Sequence, residues 1–206
     1  RLRTVTGVQT CALPISEHLR GDDSLGGQDG SDYQHTHRNK RSITLDLKQP
    51  AGLALFKRLV ATADVLVENF RPGTMERLGF GWPMLHERFP RLVVGALSGF
   101  GRTGPLSRRP AYDMVVQGMG GVMSVTGHPG GPPTRVGVSI GDLTAGLYLS
   151  TGVVAALLER ERTGVGSLVD VAMLDCQVAI LEGAITVHGA TGEVAGPLGD
   201  RHPRIA

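Results

Sequence analysis

The chain has 206 residues, 41% of them apolar, with a formal net charge of +2 and 4% aromatics, enough apolar material for one or two domains with a real core. Arg and Lys are scattered rather than clustered and aromatic platforms are few, so the composition carries no footprint for nucleic acid. Two cysteines, Cys11 and Cys176, supply neither a disulfide framework nor ligands at metal-site spacing, and a reducing cytoplasm is the expected setting.

Arg1–Ser16 shows neither helical nor strand periodicity and lacks the apolar run of a secretory signal. Its Val5–Ile15 string resembles translated sequencing-adapter sequence, so these residues are set aside as a non-native leader and the folded protein is expected to start near Glu17. Residues 17–41, rich in Gly, Ser, Asp and His, read as an exposed loop. There His35 and His37 lack a further ligand at metal spacing and read as solvated. Ser42–Leu47 alternates apolar and polar residues as a strand, and Pro50 opens a helix with Leu53, Phe56, Leu59 and Val60 on one face.

Val65–Val67 is a short, continuously apolar strand, and Glu68–Gly73 is its C-terminal loop. Leu92–Leu97 repeats the pattern, and a helix is expected from about Tyr112 to Gly121. Leu143 to Arg162 reads as a buried helix closing on Glu159-Arg160-Glu161-Arg162, its apolar stretch short for a membrane span. The strand Leu168–Ala172 leads into a helix from Leu174, with Cys176 as a small core residue. Residues 186–206 read as the start of a linker. Alternating β and α elements predict an α/β fold, a Rossmann-like, mostly parallel sheet with helices on both faces, over residues 42–185.

In such sheets ligands bind beyond the carboxyl ends of the strands. Asn69-Phe70, Ser98–Gly101 and Asp142 all follow apolar segments and are expected to converge on one crevice. Asp142 stands where Val138–Gly141 gives way to the long helix. At a helix N-terminus the dipole and free backbone N–H groups favour negative charge, so the carboxylate is expected to be ionised and aimed, as a nucleophile requires. An ordinary capping aspartate fits the same position.

Five stretches then occur in order: Asn39–Lys48 (NKRSITLDLK), Ala63–Gly73 (ADVLVENFRPG), Ser98–Pro105 (SGFGRTGP), Pro110–Asp113 (PAYD) and Gly141-Asp142. From about Asn39 to Met173 the chain thereby resembles the class III CoA-transferases, a family that also holds α-methylacyl-CoA racemases. The resemblance implies that Asp142 is catalytic and attacks the thioester of an acyl-CoA. It also implies transfer of CoA to a carboxylic acid acceptor without a metal, a partial large domain ahead of a small one, and an interlocked homodimer.

Coenzyme A, entering as the acyl-CoA substrate, would be lined by Leu45, Lys48, Asn69, Phe70, Arg77, Tyr112 and Met173. In that reading Lys48 and Arg77 meet phosphates, Asn69 and the Phe70 backbone bond the pantetheine arm, and Met173 packs an apolar part. A further strand and phosphate-binding loop would precede Gly21, and a glycine-rich loop serving the oxyanion would follow residue 206. The racemases place a histidine before the aspartate where this chain has Tyr112. A phenol of pKa about 10 shuttles protons poorly at neutral pH, which favours transfer. Racemisation, and CoA binding without turnover, stand as the alternatives.

Overall fold

The computed structural model describes residues 4–5, 8–9, 39–41 and 43–201. The chain forms two compact units, Arg1–Val67 and Glu68–Ala206. Most of the segment read as an exposed loop, His35 and His37 included, lies outside the described residues, as does Cys11.

In the first unit, β1 (Thr4–Val5) pairs in parallel with Val65 and Leu66 of β4 (Val65–Glu68), and β2 (Val8–Gln9) pairs in parallel with β3 (Ile43–Thr44). Strands β1 and β2 fall within Arg1–Ser16, which was set aside for want of a strand pattern; two residues are too few for alternation to show. Strand β3 is likewise shorter than the Ser42–Leu47 expected. The chain instead turns at Asp46, whose Oδ1 accepts the Lys48 N–H at 2.9 Å and whose carbonyl accepts the Gln49 N–H at 3.1 Å. Helix α1 (Pro50–Val60) follows, with proline in its first turn, where no amide donor is needed. Among the described residues of this unit, Leu45, Leu47, Phe56, Val60, Val65 and Leu66 are buried apolar side chains.

The second unit is built on β5 (Val93–Ser98) and β6 (Leu168–Ala172), paired in parallel from Val94↔Leu168 to Ser98↔Ala172. Two short helices precede β5, α2 (Thr74–Arg77) and α3 (Trp82–Arg88). Neither was expected from periodicity, because four and seven residues give barely one and two turns; Pro83 near the start of α3 was the available signal. Between the paired strands lie α4 (Asp113–Met119) and α5 (Ile140–Thr163), and after β6 come α6 (Met173–Ala179) and α7 (Glu182–Thr191). Residues 186–191, expected in a linker, belong to α7.

Helix α5 packs on β5, β6, α4 and α6. It approaches the sheet so closely that a Cβ at Gly152 would lie 2.7 Å from Val169 Cγ1. Its C-terminus is closed by Gly164 at φ 79°, whose N–H bonds the Arg160 carbonyl. Spanning 24 residues, it extends beyond the apolar stretch read from sequence and is, by length and composition alone, long and apolar enough to cross a membrane. Its inner face accounts for only part of that apolarity, so this is not the buried helix expected: Ala145, Leu149 and Thr144 are buried, and Ala145 joins Val116, Met173 and Cys176 in the core, while most of the apolar stretch is not buried. Leu143, Leu147, Val154 and Leu158 face outward and are exposed.

Candidate active site

Asp142 sits in the first turn of α5, two residues after its start, while Ser139 occupies the cap position without a side-chain bond to the helix. The carboxylate borders a cavity of about 640 Å³ whose wall also includes Asn69, Ser98, Gly99, Tyr112 and Met173. The C-terminal end of β5 thus meets the N-terminal ends of α4, α5 and α6, the place where an α/β sheet offers a ligand unpaired amides and no side-chain obstruction. Four of the expected site residues, Asn69, Tyr112, Asp142 and Met173, are brought together here.

Asp113, the first residue of α4, organises this wall. Its Oδ1 accepts the Gly141 N–H at 2.8 Å, its Oδ2 accepts Gln117 Nε2 at 2.7 Å, and Arg135 Nε stands 3.9 Å from Oδ2. The Gly141 amide belongs to the first turn of α5, where no intrahelical acceptor exists, so α4 caps α5 from outside. The contact requires glycine: a Cβ at position 141 would fall 2.7 Å from Val116 Cγ2 and 3.0 Å from Asp113 Oδ1. Gly141→Ala is therefore expected to cost about 1–3 kcal/mol, read as a lower denaturant midpoint with an unchanged slope.

The electrostatics add to that picture. Partial burial against the cavity wall raises the Asp142 carboxyl above the usual aspartate range, and the charge of Asp113 raises it further. The dipole of α5 favours the ionised form, but desolvation and a like charge outweigh it. Asp142 thus holds a proton more tightly than an ordinary aspartate does.

The remaining expected residues are not among those lining this cavity. Phe70 donates its N–H to Glu68 Oε2 at 2.7 Å, so that amide is not available to a pantetheine arm. Arg77 is exposed on α2 and gives Nη2 to Thr74 Oγ1 at 2.8 Å, away from the cavity wall. Leu45 and Lys48 belong to the first unit, Leu45 buried and Lys48 exposed beside the Asp46 turn.

Beside the Asn69 loop, Arg102 gathers several carboxylates. Its Nη1 pairs with Glu68 Oε1 at 3.0 Å, its Nη2 with Glu76, and its backbone N–H with Asp170 Oδ2 at 3.1 Å. Glu68 is buried, and desolvation raises its carboxyl although the Phe70 N–H and Arg102 oppose this. Two further residues escaped the sequence reading. Asp113 was visible only as the end of the PAYD stretch, and Arg135 lies in a Gly- and Pro-rich loop with no pattern to mark it. Ser98 Oγ is buried without a hydrogen-bond partner among the described residues and lines the cavity. Among the described residues no three His, Cys, Asp or Glu side chains cluster as metal ligands. Cys176 is buried in the core, where burial pushes its thiol up.

A family model described as CoA-transferase family III matches residues 15–206. The chain is similar to the acetyl-CoA:oxalate CoA-transferase of Acetobacter aceti, 47% identical over 209 residues, covering 98% of this chain and 53% of that protein. It is 43% identical over 169 residues to the succinyl-CoA–D-citramalate CoA-transferase of Chloroflexus aurantiacus, covering 82% of this chain and 42% of that one. Among solved structures, a CaiB/BaiF family protein from Brucella suis matches with a TM-score of 0.82 at 39% identity, over 88% of this chain and 48% of that one. The chain spans about half the length of the curated relatives it matches.

Proposed function

The chain belongs to CoA-transferase family III, and from that premise we propose that the protein moves CoA from an acyl-CoA to a carboxylic acid, with Asp142 holding CoA between them as a thioester. The observation that supports this best is the position of Asp142: on the cavity wall at the start of α5, beside the carboxyl end of β5.

In the proposed sequence the Asp142 carboxylate attacks the thioester carbon, the C–S bond breaks, and CoA leaves as a thiolate with an acyl-aspartyl anhydride left behind. The thiolate then attacks the aspartyl carbonyl and releases the donor acid, which stores the activated bond as an aspartyl-CoA thioester. An acceptor carboxylate attacks that carbonyl in turn, forming a new anhydride, and the returning thiolate takes the acceptor away as its CoA thioester, regenerating the Asp142 carboxylate. Each step exchanges one activated acyl bond for another, so no external energy source enters. Ser98 Oγ, without a hydrogen-bond partner among the described residues, would donate to the oxyanions.

Asn69, Tyr112 and Met173 would hold the thioester end of CoA in the cavity. The similar proteins are named for oxalate and for D-citramalate with succinyl-CoA, all dicarboxylic acids, and a dicarboxylic acceptor is the class proposed. A cytoplasmic location and a homodimer complete the reading; the exposed Leu143, Leu147, Val154 and Leu158 of α5 supply an apolar face for a second copy.

The test is to incubate the full-length protein with acyl-CoA, trap with hydroxylamine and examine the Asp142 peptide by mass spectrometry, with light scattering on the same preparation. A hydroxamate at Asp142 in a dimeric protein is expected. Exchange of the α-proton with deuterated water and no adduct would place the chemistry with the racemases instead, and neither signal would leave CoA binding alone.

A further inference from the structure

We propose that Arg135 forms a carboxylate-binding subsite beside Asp142, holding the second carboxylate of a dicarboxylic acid while the first approaches the reacting carbonyl. The inference rests on the transfer reading above and adds to it the group that selects the acid.

Arg135 is the one cation among the described residues lining the cavity, which it shares with two carboxylates, Asp113 and Asp142. A dianionic substrate entering such a cavity meets net negative charge, and a positively charged group is needed to offset it. Arg135 can do so beyond its ion pair with Asp113. Its Nε faces Asp113 Oδ2 at 3.9 Å, too far for a hydrogen bond, and Asp113 already accepts from Gly141 and Gln117. The two terminal nitrogens make no hydrogen bond among the described residues, leaving the planar fork that matches a carboxylate two bonds at a time.

The position of Arg135 is held although its loop has no regular structure. On one side the Thr134 N–H bonds the Met123 carbonyl at 3.0 Å; on the other the Val136 N–H bonds Gln117 Oε1 at 3.0 Å. Gln117 is fully buried and gives its amide nitrogen to Asp113, so one side chain ties the Arg135 strap to the residue that caps the Asp142 helix. A guanidinium presented from a backbone pinned on both flanks loses less freedom on binding than one on a loose loop.

The experiment compares succinate with butyrate, a monocarboxylate of the same chain length, as CoA acceptors for the full-length protein. Arg135→Gln is expected to lower the succinate-to-butyrate ratio of kcat/KM by about 10- to 100-fold, carried by KM for succinate, with Arg135→Lys falling between because it keeps the charge and loses the fork. Calorimetric titration of succinate alone is expected to lose its signal in Arg135→Gln. Equal loss toward both acids, or no loss toward either, overturns the subsite. No transfer to any acid by the unaltered protein, with succinate binding still dependent on Arg135, overturns the transfer reading and keeps the subsite.

Discussion

Replacing Asp142 with alanine is expected to reduce CoA transfer by roughly 10³-fold or more, the scale on which loss of an attacking group registers. Its fold should survive. Because burial and Asp113 raise the Asp142 carboxyl, the folded state holds that proton more tightly than the unfolded chain does. The ionised form therefore lowers stability at pH values above the raised pKa, and Asp142→Asn, which removes the charge, is expected to melt no lower than the parent at neutral pH. Activity runs the other way. Only the carboxylate attacks, so kcat/KM falls as pH drops through the raised pKa, earlier than for an ordinary aspartate.

Asp113→Asn separates the two causes of that shift. An amide oxygen can still accept the Gly141 N–H, while the charge that raises Asp142 is gone, so the acid limb of the pH profile moves to lower pH. An acid limb that stays in place would leave burial as the cause of the shift, and transfer by Asp142→Ala within tenfold of the parent would remove Asp142 from the role given to it.

The second large effect is on stability. Arg102→Met is expected to cost about 3–5 kcal/mol at neutral pH, the range for removing one partner of a buried ion pair, since Glu68 has only 5% of its side chain exposed and would lose its cation. The loss should depend on pH in a defined direction. Without Arg102 the Glu68 carboxyl rises further above its unfolded value, so the variant recovers stability as pH falls and Glu68 becomes neutral. Urea unfolding at neutral and mildly acidic pH reads this directly. A second substitution, Glu68→Gln, should restore part of the stability lost at neutral pH, since no charge is then stranded. An Arg102→Met variant equally weakened at both pH values would mean that packing of the Arg102 stem, rather than the ion pair, holds the loops together.

Much of the α/β architecture was written in local pattern. Strand β4 and the paired β5 and β6 announce themselves as short apolar runs, and α5 as a long apolar repeat, because burial along one element imposes its own period. Short elements left no such trace: β1, β2, α2 and α3 are too brief for a period to emerge. Asp142 at the start of α5, and Asn69 and Ser98 following strands, were equally legible, since the carboxyl ends of parallel strands are where ligands bind.

What the sequence by itself determined is therefore the order of the longer elements, the family and the place of Asp142 at the start of α5. Only the tertiary structure decided the environment of that residue. Asp113 reaches Gly141 across 28 positions, and Arg102 joins Glu68, Glu76 and Asp170 across 34, 26 and 68. Periodicity records which face of an element is buried, but not which side chains of another element it meets. The raised Asp142 carboxyl, the committed Phe70 amide and the open fork of Arg135 all arise from such meetings, and they set the chemistry of the site.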